Sequence, residues 1–169
     1  MFRPMRRKKQ QLCDEEALEV LRRGTSGVLG LIGDEGYPYT VPVSYACHEG
    51  KIYIHGAKSG HKLDAVKGCD KASFCVIDRD EVIAEKLTTA YRSVIAFGRI
   101  RILESEEERV AAARIIGLKY YTDAEAVEHE IQSTLAALCC FELEIEHLSG
   151  KEGLELTRLR ASGRQEGEG

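Results

Sequence analysis

The sequence predicts a mainly β protein, an antiparallel barrel carrying peripheral helices. Three features point there: five or six short apolar, β-branched runs separated by turn residues, strict two-residue alternation in the later runs, and helical periodicity confined to a few segments between them. The chain has 169 residues, 43% hydrophobic and 31% charged. That length suits one domain able to bury roughly 70% of its unfolded surface, so the core needs no covalent staples.

Residues 1–10, MFRPMRRKKQ, are basic and aperiodic and are expected to form an extended arm docked on a neighbour. In DEEALEVLRR (14–23), Ala17, Leu18 and Leu21 share a helical face; acids open the segment, arginines close it and Gly24 stops it. GVLGLIG (27–33) reads as a strand and DEG (34–36) as a turn. YPYTVPVSYA (37–46) is strand-like, but Pro38 and Pro42 confine it to places where the ladder does not need their N–H groups. With a turn at His48, Glu49 and Gly50 and KIYIH behind it, 37–55 is expected to form a β-hairpin. ASFCVID (72–78) and YRSVIAFGRIRIL (91–103) are further strands, the latter setting Ile100 and Ile102 against Arg99 and Arg101. CFELEIEHL (140–148) sets Phe141, Leu143 and Ile145 against Glu142, Glu144 and Glu146, a strand with one wet face.

Two helices are expected between these last strands, opened by capping boxes at Ser105/Glu108 and Thr122/Glu125. Val127, Ile131, Leu135 and Leu138 form a stripe that reads as core-facing, with a ligand wall as the competing reading. Residues 156–169 are polar and glycine-rich and are expected to form a flexible tail behind a domain spanning 1–155.

Composition excludes several functions. The 24 Lys+Arg against 28 Asp+Glu give a formal charge of −4, which argues against nucleic-acid binding. No apolar run reaches the ~18 residues of a membrane span, and no apolar stretch follows the basic arm as a secretory signal requires, so the expected location is the cytoplasm. The six cysteines include no C-x-x-C pair and are expected to be reduced and structural, and no Cys/His spacing suits a metal site.

YIHGAKSGHKLDAVK (53–67) carries the chemistry. A strand ends at His55, and Ser59-Gly60 precedes a short helical pattern from His61 to Lys67, with Ser59 as the expected N-cap. His61 and Lys62 stand in the first turn, where the macrodipole disfavours cations unless an anion lies between them. Free N–H groups, a serine hydroxyl and a lysine together suit a phosphate; solvated basic residues at a polar helix start are the plainer alternative. The chain lacks the G-K-[ST] step of a Walker loop and the G-x-G step of a dinucleotide fingerprint.

Several blocks, GTSGVLGLIGDEGYPYTVPVSY, SGHKLDA, KASFCVID, EKLTTAYRSVIAFGRIRILE and IEHLSGKE, resemble the nitroimidazole-resistance (Nim) flavoproteins of the pyridoxamine 5′-phosphate oxidase-like group, over roughly 1–155. The resemblance implies an FMN-binding split β-barrel, a homodimer with flavin at the subunit interface, and reduction of the nitro group of 5-nitroimidazoles. It further implies that Pro42, Val43, Ser44 and Tyr45 lie along the flavin ring, with Tyr45 in ring contact. His55 and Gly56 end the neighbouring strand, His61 and Lys62 grip the phosphate, Ser93 approaches from a later strand, and His55 is the catalytic residue. The chain has no tryptophan, and its Arg158 and Arg160 fall in the polar tail, unlike the vitamin B6 oxidases of the group. A non-catalytic flavin- or heme-binding module is the alternative function. His48, His129 and His147 read as surface residues.

Overall fold

The computed structural model describes residues 1–166, with side chains described to 162. Seven strands form one sheet: β1 (Ser26–Ile32), β2 (Pro38–Ser44), β3 (Ala46–His48), β4 (Lys51–Ala57), β5 (Lys71–Ile83), β6 (Thr88–Ile102) and β7 (Leu138–Glu152). Five helices surround it: α1 (Asp14–Arg23), α2 (His61–Gly68), α3 (Glu106–Tyr120), α4 (Ala124–Thr134) and α5 (Leu154–Glu166). Among the described residues no helix is long and apolar enough to cross a membrane.

The strand order is β2-β1-β5-β6-β7-β4-β3, and every pairing is antiparallel. β2 and β3 are therefore opposite edges of the sheet, yet only Tyr45 separates them along the chain. One residue spans less than about 4 Å per Cα step, so the sheet must curl until its edges meet. No ladder joins those edges, and the barrel is split there. Pro38 and Pro42 sit on the β2 edge, where a missing N–H costs nothing.

This topology corrects the expected hairpin over 37–55. Residues 38–44 pair with β1 instead, and only Ala46–His48 pairs with β4. The turn at 34–36, with Glu35 and Gly36 at positive φ, returns β2 onto β1. Local sequence could not reveal that the strand changes partner at Tyr45.

The barrel interior is filled by Leu29, Phe74, Val76, Val94, Ile52, Ile54, Phe141 and Leu143, all fully buried. α1 adds Ala17, Val20 and Leu21 to this core, with Val20 more deeply buried than the expected Leu18. Arg99 and Arg101 face outward and Ile100 inward, as alternation requires. Glu142 departs from its expected wet face: it is buried between Lys51 (3.1 Å) and Arg101 (2.9 Å), which pull its carboxyl below the usual range against the opposing effect of burial. A bulge between Phe97 and Gly98 brings the β7 backbone so close that a Cβ at Gly98 would lie 1.8 Å from the Glu144 carbonyl.

The helix starts are partly as expected. Ser105 and Glu108 form the capping box of α3. α4 is capped by Asp123, whose carboxylate accepts from the Ala126 N–H at 3.0 Å, not by Thr122. α2 begins at Gly60 (φ 114°) without a side-chain cap, so Ser59 does not serve. The expected flexible tail is helical as far as Glu166; residues 167–169 lie outside the described residues. Leu156 buries against the barrel, and Arg160 reaches Glu16 and Glu152.

Glu152 is fully buried beneath two guanidinium groups. Arg92 donates to its Oε2 at 3.0 Å, and Arg160 Nε lies 3.0 Å from Oε1 without hydrogen-bond alignment. Replacing Glu152 with Ala removes a charge-assisted hydrogen bond and the link between β6 and α5, while Arg92 keeps Asp78 and Arg160 keeps Glu16. Glu152→Ala is therefore expected to lower unfolding free energy by about 2 kcal/mol in urea titrations, with Glu152→Gln losing less.

Candidate functional site

Alternation along β4 decides which chemistry faces where. Ile52 and Ile54 point into the barrel, so His55 points out, towards α3 and α4. A cleft of about 840 Å³ opens between this outer strand face and the helix pair. Ser44, His55 and Gly56 form its barrel side. Leu138, at the start of β7 and paired with Ala57, extends that barrel side. Ile116 of α3 and Val127 and Ile131 of α4 supply much of the facing wall, with Tyr120, Tyr121 and Glu130 also lining the cleft.

The expected helical stripe holds only in part. Val127 and Ile131 on α4 form a cleft wall as well as packing, Leu135 lies beyond the end of α4 and does not line the cleft, and Leu138 lines it from the start of β7. Residues from α3 were not expected in the site. Their apolar positions are indistinguishable from ordinary core until the helices fold back over β4.

Gly56, next along the strand, has the opposite orientation. A Cβ there would stand 3.1 Å from Lys62 Nζ and 3.3 Å from the Phe141 ring. Lys62 thus occupies space that a larger residue at 56 would take. Its ammonium lies 3.5 Å from the His55 carbonyl and 5.4 Å from the Phe141 ring centroid. No carboxylate pairs with it among the described residues, and burial pushes its pKa down. A half-buried ammonium with no carboxylate partner, carried by the first turn of α2, is a fit place for an anion.

His61 diverges from its neighbour, since adjacent helical residues project about 100° apart. Its ring stacks on Tyr39 with centroids 4.0 Å apart, and Nε2 lies 3.7 Å from Asp34. The structure therefore brings together Ser44, His55, Gly56 and Lys62, and places His61 on the β2 side of α2. Pro42 and Val43 belong to the edge strand leading into Ser44.

Tyr45 corrects an expectation. Its side chain is fully buried, its hydroxyl donates to the Leu21 carbonyl at 2.6 Å, and its ring packs edge-on against Phe74. It cannot stack on a ligand in the cleft. Lys119 Nζ lies 4.1 Å from that ring and donates to the Tyr45 carbonyl at 3.0 Å, while the Tyr45 N–H donates to the Tyr120 hydroxyl at 3.1 Å. The C-terminal end of α3 is thereby pinned to the barrel rim beside Ser44. Ser93 is on the outward side of β6, opposite Ile77 and Lys151, and does not line the cleft. His147 stacks on Phe2 of the basic arm, with centroids 4.7 Å apart.

Partial burial and the Lys62 charge both lower the His55 pKa, in that order of size. The imidazole is consequently favoured in its neutral form at pH 7, with one nitrogen donating and the other accepting. In an NMR titration His55 should titrate below the ~6.5 of a free histidine, and Lys62→Met should move it upward by removing the like charge.

No curated protein matches this sequence. Among solved structures, a conserved hypothetical protein of Mycobacterium tuberculosis superimposes with a TM-score of 0.76 at 18% identity, covering 90% of this chain and 92% of its own. A protein provisionally assigned to 5-nitroimidazole antibiotic resistance in Bacteroides thetaiotaomicron gives 0.68 at 19% identity, with 84% and 86% covered. The FAD and heme binding protein of Mycobacterium smegmatis gives 0.65 at 22%, with 86% and 74% covered. These likenesses establish the fold. Residues 13–152 match the pyridoxamine 5′-phosphate oxidase family, a span running from the start of α1 to the end of β7, and the chain belongs to that family.

Proposed function

We propose that this protein is an FMN-dependent reductase of small nitro compounds, 5-nitroimidazoles among them. The observation that carries the reading is the unpaired Lys62 ammonium at the start of α2, one strand residue away from a neutral imidazole that lines an apolar cleft. The flavin phosphate would lie at Lys62 and the first-turn N–H groups of α2, with His61 at its margin. The ring would lie along the backbone of Pro42, Val43, Ser44 and Tyr45 and against His55 and Gly56. A bound flavin supplies transfer of one or two electrons to an acceptor held beside it.

The chain's own residues supply the rest. The neutral His55 donates one N–H to an oxygen of the acceptor and fixes its orientation, which is worth more than proton delivery while the imidazolium is disfavoured. The helix pair excludes water from the apolar side of the cleft. Ser93, on the outward side of β6 and outside the cleft, would approach a flavin held by a second copy of the chain. The outward face carrying Ile77, Ile95 and Phe97, each more than a third exposed, would form that homodimer surface. The Bacteroides protein's assignment supports the nitroimidazole part of this reading.

A second reading, a non-catalytic flavin- or heme-binding module, is favoured by the M. smegmatis protein, which binds both FAD and heme. The visible spectrum of the purified protein, with and without FMN, is the first test. A two-band flavin spectrum is expected, with binding weakened by ~10-fold or more in Lys62→Ala, the worth of one charge-assisted hydrogen bond. His55→Ala should keep the flavin and lose about 10²-fold in anaerobic nitroimidazole turnover. A protein that refuses FMN overturns the proposal; a sharp heme band, or flavin without turnover, supports the second reading.

A further inference from the structure

The charge of the cleft is one-sided. Its lining residues include the carboxylates of Asp123 and Glu130 and no lysine or arginine. Asp123 is committed to capping α4, so it covers the positive end of that helix's dipole. Glu130 makes no ion pair among the described residues, and its carboxylate is exposed. Thr134, the last residue of α4, and Ala137 beyond it close that end of the cleft, and the carbonyls there are already taken by the Ala137 and Leu138 N–H groups and by Lys58.

The neighbouring cations are turned away. Lys62 sits behind Gly56, on the barrel side of β4. Lys119 is held by the Gly24 and Tyr45 carbonyls. Lys58 bonds to the Ala136 carbonyl, and Arg114 pairs with Glu128; neither lines the cleft.

We infer that the α3–α4 cleft selects uncharged or cationic ring compounds and rejects anionic ones, with Glu130 as the specificity-determining residue. Ile116, Val127, Ile131 and Leu138 take the apolar body of such a ligand, while Ser44 and His55 meet a hydrogen-bonding group at its other end. A phosphorylated or carboxylated compound would bring its charge against the apolar wall beside the Glu130 carboxylate, with no lysine or arginine among the lining residues to pair with it. The inference names the substrate class of the proposed reductase and rests on that reading for the word substrate; the charge selection is a property of the cleft itself.

The test compares two ligands of nearly equal size, 2-methyl-5-nitroimidazole bearing either an N1-hydroxyethyl or an N1-carboxymethyl group. Binding to the protein as purified is followed by the His55 imidazole resonances and by calorimetry, without turnover. The neutral compound should bind ~10-fold or more tightly than the carboxylate at low salt, with the ratio shrinking as salt screens the exposed Glu130. Glu130→Lys should narrow or reverse the ratio. Glu130→Gln, a mild change at an exposed helix position, should narrow it without reversal. Equal or tighter binding of the carboxylate by the wild type, an unchanged ratio in both variants, or no His55 response to either ligand overturns the inference. A protein that lacks flavin or fails to reduce the neutral compound, yet still discriminates by charge, overturns the proposed activity and leaves the selection standing.

Discussion

The passage of the chain from one sheet edge to the other through Tyr45 is the constraint from which the architecture follows. β2 and β3 flank this single residue and lie at opposite ends of the strand order, so the sheet must bend until its ends meet. A residue at such a corner cannot satisfy its backbone through a ladder. Tyr120 and Lys119 supply the missing partners, and the Tyr45 hydroxyl is satisfied in turn by Leu21 of α1. The same contacts fix where α3 ends and therefore where the cleft lies.

The site inherits its division of labour from β4. Successive residues point to opposite faces, which gives His55 to the cleft and leaves Gly56 beside Lys62. The Lys62 ammonium is close enough to lower the His55 pKa, while the two groups face different surroundings. An anion at Lys62 and an uncharged ligand at His55 are therefore compatible. A shift of β4 by one residue would exchange the two roles and destroy both.

Charge is organised around the barrel through buried carboxylates held by arginines. Glu152 joins β7 to β6 and to α5 through Arg92 and Arg160, and Arg160 extends the connection to Glu16 of α1. That network explains why a segment with the composition of a tail is helical next to the barrel. Arginines on β6 similarly hold the glutamates of β7, which is why Glu142 is buried where alternation alone puts it in water.

Much of this was legible in the sequence. The class of fold, the positions of most strands, α1, the α3 capping box and the importance of the 53–67 segment follow from periodicity, capping chemistry and glycine placement, which act over a few residues. Resemblance extended that to the family, which the match over 13–152 bears out. Three things were decided only by tertiary structure. The strand over 37–46 changes partner at Tyr45, because sheet closure is a long-range constraint. Tyr45 is buried rather than available to a ligand, because it stands at that closure. The helix pair becomes a cleft wall, because apolar stripes carry no mark of what they will face. Local sequence determines which groups a segment offers; only the path of the whole chain determines which of them meet.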